Sequence, residues 1–199
     1  METDRKWIVV RIDGKVAAVS TDYRMLARIS EMLAGQDSGK KTGKETFFGE
    51  ITARTVCFDE VWKLRSEVGW DDLMLFGTDF QKKVWRKLWE LTHTDNAKAR
   101  LICYSDFAEL CQNRAGVRAV AHAIGLNPVS VIIPCHLVIP KEGIDKISDI
   151  QKKAEATIFK GDDLCLNSIL QDSSIDFGEY ALGKTLKREL IRLELTDKV

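Results

Sequence analysis

The first 76 residues alternate short hydrophobic runs with turn residues, as a small α/β unit does. Residues 7–20 hold two β-rich runs on either side of Asp13-Gly14, a dipeptide that favours a two-residue hairpin turn. Asp22 then offers an N-cap to a helix whose apolar positions follow helical spacing, at Met25, Leu26, Ile29, Met32 and Leu33. A further strand is predicted over residues 47–58, after a polar loop. We therefore expect residues 1–76 to form a supporting α/β domain of hairpin, sheet and helix.

From Gly77 onward the apolar periodicity becomes helical. It predicts one helix through Phe80, Val84, Leu88 and Leu91. A short helix over residues 106–111, capped by Ser105, and a second over residues 117–124 follow, with a glycine-containing turn between them. This is the spacing of a helix-turn-helix, whose second helix can enter a DNA groove. Residues 77–199 are therefore predicted to form a mainly α domain with a helix-turn-helix.

The chain after residue 143 differs from what precedes it. Residues 144–176 are polar and almost without aromatic side chains. The spacing of their apolar residues predicts one amphipathic helix, through Ile147, Ile150, Ala154 and Ile158. A C-terminal helix is predicted from the leucine repeat at Leu182, Leu186, Leu190 and Leu193. Glu194 adjoins the apolar face of that helix, so we expect its carboxylate to be partly buried.

Charge and cysteine content narrow the functional classes. Residues 77–143 carry 9 basic and 6 acidic side chains, whereas the segments before and after carry a small net negative charge. That basic segment suits phosphate contact, although an ordinary solvated surface carries similar charge. Five cysteines without CxxC spacing and only three histidines favour reduced thiols over a disulfide framework or a structural zinc. No apolar run is long enough for a membrane span, so we expect neither membrane nor metal.

Cys135 is the candidate nucleophile. It follows the nearly unbroken apolar run at residues 129–133 and Pro134, so its thiol ends a buried, rigid segment and can face a cleft. A thiolate needs a base or positive potential at neutral pH, and His136 is adjacent, with room for a water between thiol and imidazole. Glu194 is the carboxylate that can orient the imidazole, giving a Cys–His–Glu arrangement. The alternative is that Cys135 is a small buried hydrophobe.

Three segments in order resemble the O6-alkylguanine-DNA alkyltransferases, also called methylated-DNA–protein-cysteine methyltransferases. The signature of that family is PCHRV, after a recognition helix with an RAV core and an Asn-Pro dipeptide. Here the same order reads GVRAVAHAIGLNPVSVIIPCHLVIPKEG, preceded by GTDFQKKVWRKLWEL and CYSDFAEL. The resemblance covers residues 77–143 and resumes near Gly178, whereas residues 1–76 share only the α/β character.

The resemblance implies a role for each matching residue. Cys135 is then the alkyl acceptor, His136 receives its proton through a water, and Glu194 fixes the imidazole. Asn127 ties the recognition helix to the active-site segment. Arg118 replaces the damaged nucleotide in the base stack. The residues expected at the DNA are Arg118, Tyr104, Val117 and Ala119, and those at the flipped base are Tyr180, Ala181 and Val138.

The implied function is direct-reversal DNA repair. The protein would flip O6-alkylguanine, chiefly O6-methylguanine, out of duplex DNA and transfer the alkyl group once and irreversibly to Cys135, without a cofactor. Its partner would be double-stranded DNA carrying the lesion. We expect a monomer, in the nucleus or in the cytoplasm of a prokaryote. Two alternatives stay open: an alkyltransferase-like protein that binds lesions with weak or no transfer, and a helix-turn-helix regulator with an incidental thiol.

Four features depart from the pattern of the family. Leu137 occupies the position of the signature arginine, and Ala181 one that is often serine. Ala121 and His122 occupy positions where the recognition helix usually has small glycines. Residues 144–176 form an insertion where the family has a tight loop over the base pocket. Leu137 puts the transfer rate in question, and the insertion has no assigned task.

Overall fold

The structure is a computed structural model that describes residues 5–24, 27, 31, 50–94, 100–156 and 168–196. Contacts divide the chain into two compact units, Met1–Lys82 with Leu126–Ile133, and Lys83–Gly125 with Pro134–Val199. The predicted domain boundary after residue 76 lies six residues before Lys82, where the first segment of the first unit ends. None of the helices in the described part of the chain is long and apolar enough to cross a membrane.

The first unit contains a three-stranded antiparallel sheet. Its elements are β1 (Trp7–Ile12), β2 (Lys15–Ser20), β3 (Ile51–Val56) and helix α1 (Phe58–Glu67), with strand order β2-β1-β3. The predicted hairpin is confirmed, because β1 and β2 pair with Ile12 opposite Lys15. Asp13 and Gly14 have φ angles of 50° and 77°, which the tight turn requires and which asparagine, aspartate and glycine tolerate best.

The structure corrects the predicted end of one strand in this unit and contains one predicted helix cap. The strand predicted over residues 47–58 was too long, because Phe58 already begins α1. The cause is a cap, in which the backbone N–H of Cys57 donates to Glu60 Oε1 at 3.4 Å and starts the helix. Asp22 Oδ1 accepts from the backbone N–H of Arg24 at 2.9 Å, as an N-cap does. The five apolar positions predicted for that helix lie outside the described residues.

The second unit is mainly helical. Its elements are the greater part of α2 (Asp79–His93), then β4 (Ile102–Cys103), α3 (Tyr104–Leu110), α4 (Val117–Gly125), a 3₁₀ turn (Cys135–Leu137), β5 (Val138–Ile139), α5 (Lys141–Ala156) and α6 (Lys184–Thr196). The predicted α2 is confirmed, with Val84, Trp85 and Leu88 buried. Trp85 Nε1 donates to Ala123 O at 2.8 Å and so ties α2 to α4.

Helix α3 begins earlier than predicted. Its N-cap is Cys103, so Ser105 is inside the first turn and is not the cap. The hydroxyl of Ser105 instead lies 3.0 Å from Cys103 Sγ. Tyr104 therefore stands at the junction between β4 and α3. Because β4 pairs in parallel with β5, with Ile102 opposite Val138, this junction lies beside the segment that follows Cys135.

The insertion takes part in the core of the second unit. The amphipathic helix predicted there is present as α5, with Ile147 buried and Ile150 half-buried. Ile158 and the side chain of Ala154 lie outside the described residues. One apolar cluster joins the insertion to β5 and α6, through Ile139, Ile147, Ile169, Leu170, Ile175, Phe177 and Ile191. The described parts of the insertion, residues 144–156 and 168–176, therefore contribute to the core of the second unit.

Candidate active site

Cys135 opens a short 3₁₀ turn directly after Pro134. The turn is closed by hydrogen bonds from Leu137 N to Pro134 O at 3.1 Å and from Val138 N to Cys135 O. Cys135 keeps 8% of its accessible surface, whereas His136 and Leu137 keep none. The thiol is thus held by a rigid turn without being fully enclosed. Leu137 belongs to the core, an environment that suits its apolar side chain better than the charge usual at this position.

His136 and Glu194 form a buried pair. The imidazole Nε2 lies 3.1 Å from Glu194 Oε1, with side-chain exposures of 0% and 2%. The leucine face of α6 carries the carboxylate inward, because Leu190 and Ile191 are fully buried one turn earlier. Glu194 is more deeply buried than the partial burial that the sequence predicted. Glu194 binds Nε2, and this contact sets the orientation of the imidazole ring.

One tyrosine lies near His136 and another near Cys135. The ring of Tyr180 lies edge-on to the imidazole of His136, with centroids 6.5 Å apart and planes at 85°. Tyr104 is half-buried at the start of α3. Burial raises the pKa of Tyr104, and the negative charges of Cys135 and Asp176 raise it further. The Tyr104 phenol is therefore neutral at physiological pH and is able to donate a hydrogen bond.

Lys187 is a site residue that the sequence did not reveal. It is on α6, only 1% exposed, and its Nζ donates to Val138 O at 2.9 Å and to Glu179 O at 3.4 Å. Burial lowers its pKa to about 8, although Cys135, Asp176 and Glu179 act in the opposite direction. In the sequence, a lysine within a leucine-rich helix cannot be told from a surface charge. Only the tertiary structure shows that Lys187 is buried and bonded to Val138.

The residues expected at the flipped base lie in two segments, Val138 at the start of β5 and Tyr180 with Ala181 in the loop before α6. Val138 O accepts from Lys187 Nζ. Ala181 is exposed, and Gly183 N donates to Tyr180 O at 3.0 Å across the turn that contains it. Gly178 and Gly183, with φ angles of 79° and 101°, flank this turn. The backbone conformation there depends on glycine, because other residues rarely adopt such angles.

Asn127 is buried in the first unit. Its Nδ2 donates to Ile133 O at 2.9 Å, and its Oδ1 accepts from Val129 N at 3.0 Å. The five residues of the predicted apolar run are all buried. Val131, inside the turn that Asn127 spans, has a φ of 74°, a strained conformation for a β-branched residue. Asn127 therefore braces a strained turn that ends two residues before Cys135.

Three of the four residues expected at the DNA, all except Tyr104, occupy the first turn of α4. Arg118 and Ala119 are exposed and Val117 is half-buried. Among the described residues, none of their side chains hydrogen-bonds to the cluster around Cys135. The structure thus brings together Cys135, His136, Glu194, Tyr104, Tyr180 and Val138, and places the groove residues on a solvent-facing helix turn. The described residues contain no group of three or more His, Cys, Asp or Glu arranged to hold a metal ion.

A family model matches part of the chain. Residues 79–157 match the family described as 6-O-methylguanine DNA methyltransferase, DNA binding domain. The matched region contains α3, α4, Cys135 and His136, whereas Tyr180, Lys187 and Glu194 lie beyond it.

Several named relatives match part of the chain. A probable methylated-DNA–protein-cysteine methyltransferase from Acanthamoeba polyphaga mimivirus is 39% identical over 92 residues, covering 41% of this chain and 58% of the relative. Proteins named methylated-DNA–protein-cysteine methyltransferase from Saccharomyces cerevisiae and, as an inducible form, Bacillus subtilis are 31% and 45% identical. These matches cover 48% and 34% of this chain, and 47% and 35% of the relatives. The chain thus spans about a third to three-fifths of the length of these relatives.

Two solved structures are also similar. The O6-methylguanine-DNA methyltransferase from Pyrococcus kodakaraensis aligns with a TM-score of 0.49 at 20% identity, covering 95% of this chain and 91% of that one. Mycobacterium tuberculosis OGT in complex with DNA aligns with a TM-score of 0.40 at 27% identity, covering 62% and 53%.

Proposed function

We propose that this protein repairs O6-alkylguanine in duplex DNA by transferring the alkyl group to Cys135. The observation that carries the proposal is the partly accessible Cys135 next to the buried His136–Glu194 pair, in a chain whose residues 79–157 match the methyltransferase DNA-binding domain. The names of the relatives support the same activity.

The transfer is a single displacement. The thiol of Cys135 gives its proton to His136, by way of a water, and Glu194 stabilises the imidazolium that forms. The thiolate sulfur attacks the alkyl carbon, a sulfur–carbon bond forms, and the carbon–O6 bond breaks with its electron pair on guanine. The guanine anion then takes up a proton. The thioether has no hydrolytic route back to the thiol, so each chain acts once and needs no cofactor.

The base must leave the duplex for this reaction, because O6 faces inward in the base stack. Helices α3 and α4 serve as the helix-turn-helix, with Val117, Arg118 and Ala119 in the groove. Arg118 fills the space that the flipped nucleotide leaves. Lysine and arginine side chains of the basic segment contact phosphates, so affinity falls steeply with salt and depends little on sequence.

The flipped guanine is received by the loop before α6. Tyr180 lies against the base, the backbone at Ala181 faces O6, and Val138 O accepts a hydrogen bond from the base. Tyr104 donates a hydrogen bond as negative charge develops on the leaving guanine, which its raised pKa permits because the phenol stays protonated. The protein acts as a monomer on double-stranded DNA.

The test is transfer of a radiolabelled methyl group from an O6-methylguanine duplex to the protein. The wild-type chain should take up one label per molecule, Cys135→Ser none, and Cys57→Ser, which removes an exposed thiol of the first unit, the same amount as wild type. Lesion-selective binding without label transfer would contradict the proposal and favour the lesion-binding alternative.

A second measurement tests eversion separately. Arg118→Ala should slow transfer from the duplex far more than transfer from free O6-benzylguanine, because only the duplex requires a flipped base. Equal slowing with both substrates would contradict the role of Arg118.

A further inference from the structure

Arg188, on α6 next to Lys187, makes an unusual set of contacts with the insertion. Its Nη1 donates to Leu170 O at 2.7 Å and to Asp172 O at 3.2 Å, and its Nη2 donates to Ile175 O at 3.0 Å. The guanidinium carbon also lies 4.6 Å from the centre of the Phe177 ring. One side chain therefore fixes four residues of the segment at residues 168–177, which we call the return segment.

The return segment is also held from its other sides. Ile169, Leu170 and Ile175 are buried in the apolar cluster described above. A Cβ on Gly143 would approach Asp176 O to 2.4 Å, so the backbone of α5 and that of the return segment touch. Lys146 Nζ, on α5, donates to Ser174 O. The return segment is thus packed between α5 and α6, and Arg188 binds its carbonyl groups from α6.

The return segment leads without interruption into the loop beside His136. Asp176 Oδ1 accepts from Gly178 N at 2.8 Å, and Lys187 reaches Glu179 O. The next residue is Tyr180, whose ring lies edge-on to the imidazole of His136. From Leu170 to Glu179 the backbone is therefore bound at intervals by two consecutive cations of α6.

We propose that Arg188 is a positioning residue, which fixes the return segment of the insertion and thereby sets the place of the Tyr180–Ala181 loop that receives the substrate base. The substrate part of this statement rests on the proposed function. It gives the described end of the insertion a task, because the return segment then positions the loop that follows it in the chain.

The chemistry of the side chain explains why arginine serves here. A guanidinium offers five N–H donors in a fixed plane, so it can serve three carbonyl oxygens at once and stack on a ring. A lysine at this position would keep the charge and lose the fork. All of the bonded acceptors are backbone atoms, so the contact imposes no particular side chain on residues 170, 172 and 175.

The experiment compares Arg188→Lys and Arg188→Gln with wild type. The matched control is Arg192→Gln on the same helix, since Arg192 has no side-chain hydrogen bond within the described part of the chain. The first readout is hydrogen–deuterium exchange of intact, full-length protein. Amides in peptides over residues 168–177 and 178–183 should exchange about tenfold faster in Arg188→Gln, less so in Arg188→Lys, and at the wild-type rate in Arg192→Gln.

The second readout is single-turnover transfer from free O6-benzylguanine at varied concentration. Arg188→Gln should raise the half-saturating concentration by about tenfold and change the limiting rate constant little, because the loop binds the base and the thiol performs the chemistry. Modification of Cys135 by iodoacetamide, followed on the Cys135 peptide, should keep its wild-type rate and pH profile, since it needs the thiol and His136 but no base-binding loop.

The outcomes separate the two proposals. Faster exchange confined to residues 168–177, or an unchanged half-saturating concentration, would overturn the role of Arg188. A parallel fall in iodoacetamide reactivity, or an effect as large in Arg192→Gln, would show general destabilisation and would overturn it too. If the wild-type protein transfers no benzyl group, the proposed function fails, whereas the exchange data still decide whether Arg188 holds the Tyr180–Ala181 loop.

Discussion

Glu194→Gln is the substitution that bears most directly on the proposed chemistry. The change preserves the shape of the side chain and an oxygen able to accept from His136 Nε2 at 3.1 Å, and it removes only the negative charge. Both partners are buried, so water cannot replace that charge. The effect should therefore fall on the step at which the imidazole becomes positive.

The structure sets the size of the effect. At 3.1 Å, an effective dielectric constant of about 20 gives an attraction of about 5 kcal/mol between carboxylate and imidazolium. The glutamine dipole recovers part of this, which leaves a loss of roughly 3–4 kcal/mol at the transition state, or a rate about 10²- to 10³-fold lower.

The assay is the single-turnover rate constant for methyl transfer, with DNA in excess over protein. Glu189→Gln is the matched control, because Glu189 lies on the same helix and is only half-buried. We expect the control to react at the wild-type rate and to bind the duplex as tightly as Glu194→Gln does. A Glu194→Gln rate within about threefold of wild type would refute the argument that the buried carboxylate stabilises the imidazolium.

Three further predictions concern stability. The pKa of Lys187 is about 8 in the folded chain, against an ordinary 10.5, so the folded state binds fewer protons than the unfolded state between these pH values. The unfolding free energy of wild type minus that of Lys187→Met should therefore rise by about 3 kcal/mol as the pH rises through this window. A difference that does not change with pH in urea titrations would contradict this prediction. Asn127→Ala removes the buried hydrogen bonds from Asn127 Nδ2 to Ile133 O and from Val129 N to Asn127 Oδ1. It should lower the unfolding free energy by roughly 2–4 kcal/mol in chemical denaturation. A loss below about 1 kcal/mol would show that the strained turn is stable without this side chain. Trp85→Phe leaves Ala123 O without its indole donor and should cost about 1–2 kcal/mol in thermal unfolding, with no change if that bond is unimportant.

The sequence predicted the elements that depend on local pattern. The Asp13-Gly14 hairpin, α2 and α6 follow from turn chemistry and periodicity, which act over a few residues. The sequence also indicated that Glu194 is at least partly buried, because its neighbours on α6 are leucines. These signals were readable because one face of each element is buried and its period is visible in the chain.

What the sequence left out depends on contacts between distant segments. Lys187 and Arg188 are ordinary charges in a helix pattern, and their partners are backbone carbonyls up to 49 residues away, which leave no trace in the sequence. The start of α3 at Tyr104 was missed because the pairing of β4 with β5 determines it. Helix α1 was missed because Val56, Cys57 and Phe58 are consecutive apolar residues, so the sequence shows no break between β3 and the helix that the Glu60 cap begins.

Peptide-resolved mass spectrometry decides whether Cys135 accepts an alkyl group from guanine. The intact chain is incubated with an O6-methylguanine duplex, and its mass is measured before and after digestion. We expect one methyl group to replace a hydrogen, only in the peptide that contains Cys135. We also expect guanine in place of O6-methylguanine in the DNA. An unchanged protein mass beside intact lesion, or a methyl group on a different residue, would contradict it.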